Sequence, residues 1–109
     1  MPRILIDPPL TLDEMKAFGE FRTVEPCPAR GSTSGAGFLM PRTDMNYKPD
    51  LVREHIQDIV DHFPDHKFIG FVEYRNFSGG QPPVSRYYVR DRVVERVDAR
   101  IVWPGQDGA

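Results

Sequence analysis

Only one of the 109 residues is a cysteine, Cys27, so no internal disulfide framework can form and the chain suits a reducing compartment. No apolar run approaches the roughly 18 residues that a membrane span requires. The stretch Arg3-Ile4-Leu5-Ile6-Asp7 is too short for a signal peptide and is closed by a charge and two prolines, so the expected location is the cytoplasm, the host's if a phage encodes the chain. An excess of either charge is lacking as well. Fourteen basic and sixteen acidic side chains leave a formal charge of −2. That balance argues against a generally basic nucleic-acid protein and against an acidic mimic of DNA.

What is present points to one small domain rich in loops. Eleven prolines and nine glycines punctuate the chain, while seven Phe, four Tyr and one Trp can fill a core. Arg3 to Ile6 reads as a strand stopped by Asp7-Pro8-Pro9, because proline cannot donate to a ladder. Thr11 and Glu14 have the spacing of a capping box, which starts a short helix with Leu12, Met15 and Phe18 on its apolar face and Gly19 as its stop. Glu20 to Val24 is expected as a second strand. Residues 25–37, EPCPARGSTSGAG, are expected as a mobile loop at the tip of a hairpin that returns through Phe38-Leu39-Met40.

The clearest periodicity lies between Pro49 and Phe63. Val52, Ile56, Ile59, Val60 and Phe63 share one helical stripe, and Arg53, Glu54, Gln57, Asp58 and Asp61 share the opposite face. Pro64 ends this helix. Lys67 to Phe77 then alternates, with Phe68, Val72 and Tyr74 on one side and Ile69 and Phe71 on the other, as a central strand would. Val84 to Val89 follows, then a tight connection at Arg90-Asp91-Arg92. A last strand from Val93 to Trp103 carries Val93, Val97 and Ile101 on its expected core side. The reading is a single α+β domain over 1–104 with a frayed tail at 105–109. It is a two-layer sandwich, ferredoxin-like or related, with a mostly antiparallel sheet and two helices on one face.

Three constellations bear on chemistry. His62 and His66 in D-H-F-P-D-H are metal-ligand types, but Pro64 separates them and the spacing matches no zinc pattern, so no metal and no cofactor is expected. The glycine-rich run 31–37 lacks the Gly-Lys-Ser/Thr ending of a phosphate loop and has no helix after it. Cys27 has no histidine near it in sequence to serve as a base, so no catalytic residue is assigned and an enzyme is not expected. The C-terminal hairpin is richer. Arg86, Tyr88, Arg90, Arg96 and Arg100 could merge across an antiparallel pair into a basic stripe with a tyrosine for stacking, a nucleic-acid contact. Asp91, Glu95 and Asp98 in the same segment reduce its charge.

The segments ILIDPPLTLDEM, IVDHFPDHKFIGFVEY and RYYVRDRVVERVDARIVWP resemble a family of small proteins of actinobacteria and their phages that has no assigned activity. The 20–46 region departs from that pattern. The resemblance implies a compact α+β domain in a phage or mobile-element context, and it implies no reaction. The functional expectation is a small cytosolic accessory protein that binds a host or phage protein through an exposed sheet face or edge. Nucleic-acid binding through the arginine hairpin is the alternative.

Overall fold

The computed structural model of the protein describes residues 2–28, 35–42, 47–76 and 82–99. They form β1 (Ile4–Leu10), α1 (Leu12–Phe18), β2 (Val24–Cys27), β3 (Ala36–Pro41), α2 (Pro49–His62), β4 (Lys67–Arg75), β5 (Val84–Arg90) and β6 (Val93–Asp98). The strands make one sheet in the order β2-β3-β1-β4-β5-β6, and every neighbouring pair is antiparallel. From β1 to β4 the order is the split βαβ arrangement of ferredoxin-like folds, and the β5–β6 hairpin widens it beyond β4. Both helices pack on one face.

The core lies between that face and α2. Val52, Ile56, Ile59 and Val60 of the helix meet Ile4 and Ile6 of β1, Leu39 of β3, Phe68 and Val72 of β4, Tyr87 and Val89 of β5 and Val94 of β6, all buried. The stripe at helical spacing and the alternation at strand spacing therefore close on each other, as their periods require. The expected core contacts Phe68 and Val72 are in place. Helix α1 has no fully buried residue, so its own packing is thin. Its capping box is complete: Thr11 Oγ1 accepts from the Glu14 amide at 3.1 Å, and Glu14 Oε1 accepts from the Thr11 amide at 3.0 Å. Phe18 anchors its far end among Phe21, His62 and Phe63, with ring centroids 5.0, 5.1 and 5.7 Å away. Leu12, expected on the apolar face, is exposed.

Gly70 sets the approach of the two central strands. Its φ is +121°, and a Cβ there would lie 2.4 Å from the Arg3 carbonyl oxygen of β1. Only glycine allows β1 to come this close with that backbone.

Several expectations are corrected. Strand β1 runs through both prolines to Leu10, with its ladder to β3 shifting register between Leu5 and Leu10. Pro8 and Pro9 are exposed there, where a missing donor leaves nothing buried unsatisfied. The second strand is Val24–Cys27 rather than 20–24, and it pairs with β3 from Val24↔Pro41 to Cys27↔Phe38. The segment expected as a loop thus gives both its ends to strands, while residues 29–34 lie outside the described residues. Val97 is not a core residue. Arg90 pairs with Val93 around a two-residue turn, so the outward side of β5 continues as Val93, Glu95 and Val97, and Val94 points inward. Valines stand on both sides of β6, and the register decides between them. Ile101, Trp103 and the tail at 105–109 lie outside the described residues.

Candidate functional site

The face of the sheet opposite the helices is uncovered among the described residues. Strand alternation and register place its side chains in rows. One row runs Cys27, Phe38, Leu5, Ile69, Arg90 and Val93 across all six strands. The next holds Glu25, Met40, Arg3, Phe71, Tyr88 and Glu95, and a shorter one holds Glu73, Arg86 and Val97. Leu5, Ile69, Val93 and Val97 remain 44, 55, 54 and 50% exposed. Leu5 and Ile69 are direct cross-strand neighbours near the middle of this surface, and Val93 and Val97 lie on its β6 margin.

Among the described residues, the three aromatic rings of this face each carry a guanidinium. Arg3 lies over Phe38 at 4.8 Å, Arg86 over Phe71 at 4.9 Å and Arg90 over Tyr88 at 5.4 Å. Phe71 and Tyr88 are cross-strand partners with centroids 4.8 Å apart. Arg86 also donates to Glu73 Oε1 at 2.8 Å and to the Tyr88 hydroxyl at 3.2 Å. A hollow of about 370 Å³ opens beside them, lined by Glu73, Val84, Arg86, Tyr88, Val97, Asp98 and Ala99. With Lys67, Arg75, Asp7, Glu25 and Glu95 counted, the described residues on the outward side of the sheet, Arg3 just before β1 included, supply five basic and four acidic groups.

The expected arginine stripe is divided by this geometry. Arg86, Tyr88 and Arg90 come together on the open face. Arg96 is the partner of buried Tyr87 and therefore stands on the helix side, where its guanidinium donates to Asp98 Oδ1 at 2.8 Å and reaches Asp50 Oδ1 of α2 at 3.4 Å. Arg100 lies outside the described residues. Arg92 serves the fold. Its guanidinium donates to the carbonyls of Val60, Phe63 at 3.0 Å and His66 at 2.7 Å, closing the C-terminal end of α2. The sequence alternation of β4 already carried Ile69 and Phe71 on its second side. Leu5, Phe38 and Arg3 carry no such signal, because only the register brings their strands beside β4.

The histidines diverge. His62 is exposed and packs edge-on against Phe18. His66 is buried and donates from Nδ1 to the Pro8 carbonyl at 2.5 Å and from Nε2 to Glu14 Oε2 at 2.7 Å. A carbonyl and an ionised carboxylate both accept, so the pair of contacts favours the protonated ring. Burial works against that charge, yet the bonds to Pro8 and Glu14 and the charges of Glu14 and Asp65 hold its pKa above the ordinary value. Glu14 is held below its ordinary value by the Thr11 amide first and by His66 next. His55 is different again. Its Nδ1 accepts from the Thr23 amide at 3.2 Å, and burial, then Arg22, push its pKa down. Among the described residues no three His, Cys, Asp or Glu side chains gather as a ligand set. Cys27 sits outward beside Phe38, its thiol pushed up by burial and by Glu25. No helix among the described residues is long and apolar enough to cross a membrane.

Fold and surface together define an open-faced α+β sandwich, with one side of the sheet filled by helices and the other left uncovered by the described residues. The chain belongs to a family of unknown function, DUF6205, whose model matches residues 2–109. No curated protein and no solved structure matches it.

Proposed function

We propose that this protein is a small accessory protein that acts by docking another protein on the open face of its sheet, with no reaction of its own. Its resemblance at the opening strand and the C-terminal half suggests a phage or mobile-element origin and work in the host cytoplasm. The carrying observation is the exposure of Leu5, Ile69, Val93 and Val97 around Phe38, Phe71 and Tyr88 on a surface that neither helix covers. Aromatic and arginine side chains around an apolar centre are the composition of a protein interface.

The face is favoured over the edges as the docking element. Gln57 of α2 donates to the Arg92 carbonyl and accepts from the Val94 amide, both at 2.9 Å, which occupies the start of the β6 edge. Arg96 bridges the same strand to Asp50 near the start of α2. On the other edge, β2 carries Pro26, which has no amide to offer an added strand. Position-specific photo-crosslinking tests the reading. A crosslinker at position 69 should capture a protein, and one at the exposed helix position Leu51 should not. Equal capture at both positions would refute it.

A second reading is favoured by the grouping of Arg86, Tyr88 and Arg90 on that same face: single-stranded nucleic acid stacked on the rings. Its signature is salt-sensitive oligonucleotide binding that Arg86→Ala together with Arg90→Ala weakens for every sequence.

A further inference from the structure

We propose that the open face closes on the same face of a second copy of this chain, giving an isologous dimer. The inference rests on the reading of that face as a protein-docking surface and names its partner. Charge balance is the first support. A patch of one sign repels its own copy, whereas five basic and four acidic outward groups nearly cancel. The same near-balance offers little to a polyanion.

The rows are self-complementary. A twofold axis along the strands, between β1 and β4, lays β1 over the partner's β4 and β3 over its β5. Leu5 then meets Ile69, Arg3 meets Phe71, Phe38 meets Arg90 and Met40 meets Tyr88. The contacts are aliphatic with aliphatic and guanidinium with ring, the chemistry each chain already uses within itself. Glu25 and Glu95 fall together only at the rim, where water solvates them. The size is sufficient. Five strand spacings of about 4.8 Å and about six residues of rise give roughly 24 by 20 Å per copy, so two copies bury about 1,000 Å², the lower bound for a specific interface.

Sedimentation equilibrium of the full chain at about 100 µM, well above a micromolar dissociation constant, is the test. The expected mass is twice the 12.5 kDa of the chain. Leu5→Glu and Ile69→Glu should each weaken the dimer by at least about tenfold with unchanged circular dichroism, and Leu51→Glu on α2 should leave it intact. Should one face variant fail to fold, the other and the crosslinker at position 69 still decide. A monomer at that concentration, or a dimer insensitive to both face substitutions, overturns the proposal. If a monomer's position 69 instead captures a different protein in lysate, the second copy is wrong and the docking surface stands. A monomer that captures nothing there overturns both.

Discussion

The guanidinium of Arg92 lies 3.0 Å from the carbonyl oxygen of Phe63, across 29 residues of chain. This bond joins the turn of the last hairpin to the end of α2. Asp91 and Arg92 have φ of 48° and 65°, a two-residue turn of the kind usually built from Asn-Gly. An arginine in the left-handed region is unfavourable by about 1 kcal/mol, and three charge-assisted bonds to carbonyls at the end of α2 and beyond it offset that strain. The Phe63 oxygen accepts from the His66 amide as well. Arg92→Ala should destabilise the protein by about 2–3 kcal/mol in chemical denaturation. Arg92→Gly, which loses the bonds but relieves the backbone, should cost about 1 kcal/mol less. Equal losses for the two variants would sink this account.

His66 and His55 should give opposite pH responses. The folded pKa of His66 is raised, so its contribution is complete below the unfolded value near 6.5 and is lost as pH rises through the folded value. The charged groups that bear on it are Glu14 of α1, its neighbour Asp65 and the Arg92 guanidinium on its own carbonyl. His55 has a lowered folded pKa, so its contribution is present above 6.5 and is lost as pH falls below it. In Glu14→Gln the alkaline loss should flatten while the acid limb stays. Each limb should amount to about 1 kcal/mol or less per pH unit, read from denaturation midpoints.

Gly70→Ala should be among the most damaging single-methyl changes in the chain. The added Cβ meets the backbone oxygen of Arg3, which cannot swing away as a side chain can. A loss of about 3 kcal/mol or more is expected, seen as a large fall in melting temperature. Gly19 also has a positive φ, but a Cβ there meets nothing within 4 Å, so Gly19→Ala should cost clearly less.

The two faces of the sheet should respond differently to truncation. Ile59→Ala, in the buried stripe of α2, should cost about 2–5 kcal/mol. Ile69→Ser, on the open face, should change the stability of the monomeric chain by no more than about 0.5 kcal/mol. A large loss at Ile69 in the monomer would show that this side chain serves the fold rather than a partner.

Local patterns were legible in the sequence and long-range pairings were not. Thr11 and Glu14 announced a capping box at three-residue spacing, and both of its bonds formed. The stripe from Val52 to Val60 is set by helical periodicity, and Pro64 bounded it. The inner side of β4 was equally plain. The orientation of β6 was not, because Val93, Val94 and Val97 satisfy either side and only the turn at Asp91-Arg92 fixes which points inward. The arginines of the hairpin looked alike for the same reason. Sequence spacing groups Arg86, Arg90 and Arg96, whereas the register keeps the first two on the open face and sends Arg96 to the helix side. The open face itself was half visible, in Ile69 and Phe71, and its other half comes from β1 and β3.

The Gln57 amide that clasps the rim of β6 also bears on what happens when the chain is crowded. A sheet with a bare margin can recruit strand after strand from other molecules and lengthen without limit. Here the margin at β6 is taken at the Arg92 carbonyl and the Val94 amide, and the margin at β2 is interrupted by Pro26. Both margins are thereby blunted against sideways pairing. Replacing Gln57 with leucine frees both groups at once, and the concentrated variant should form thioflavin-positive fibres under conditions that keep the parent chain as discrete particles.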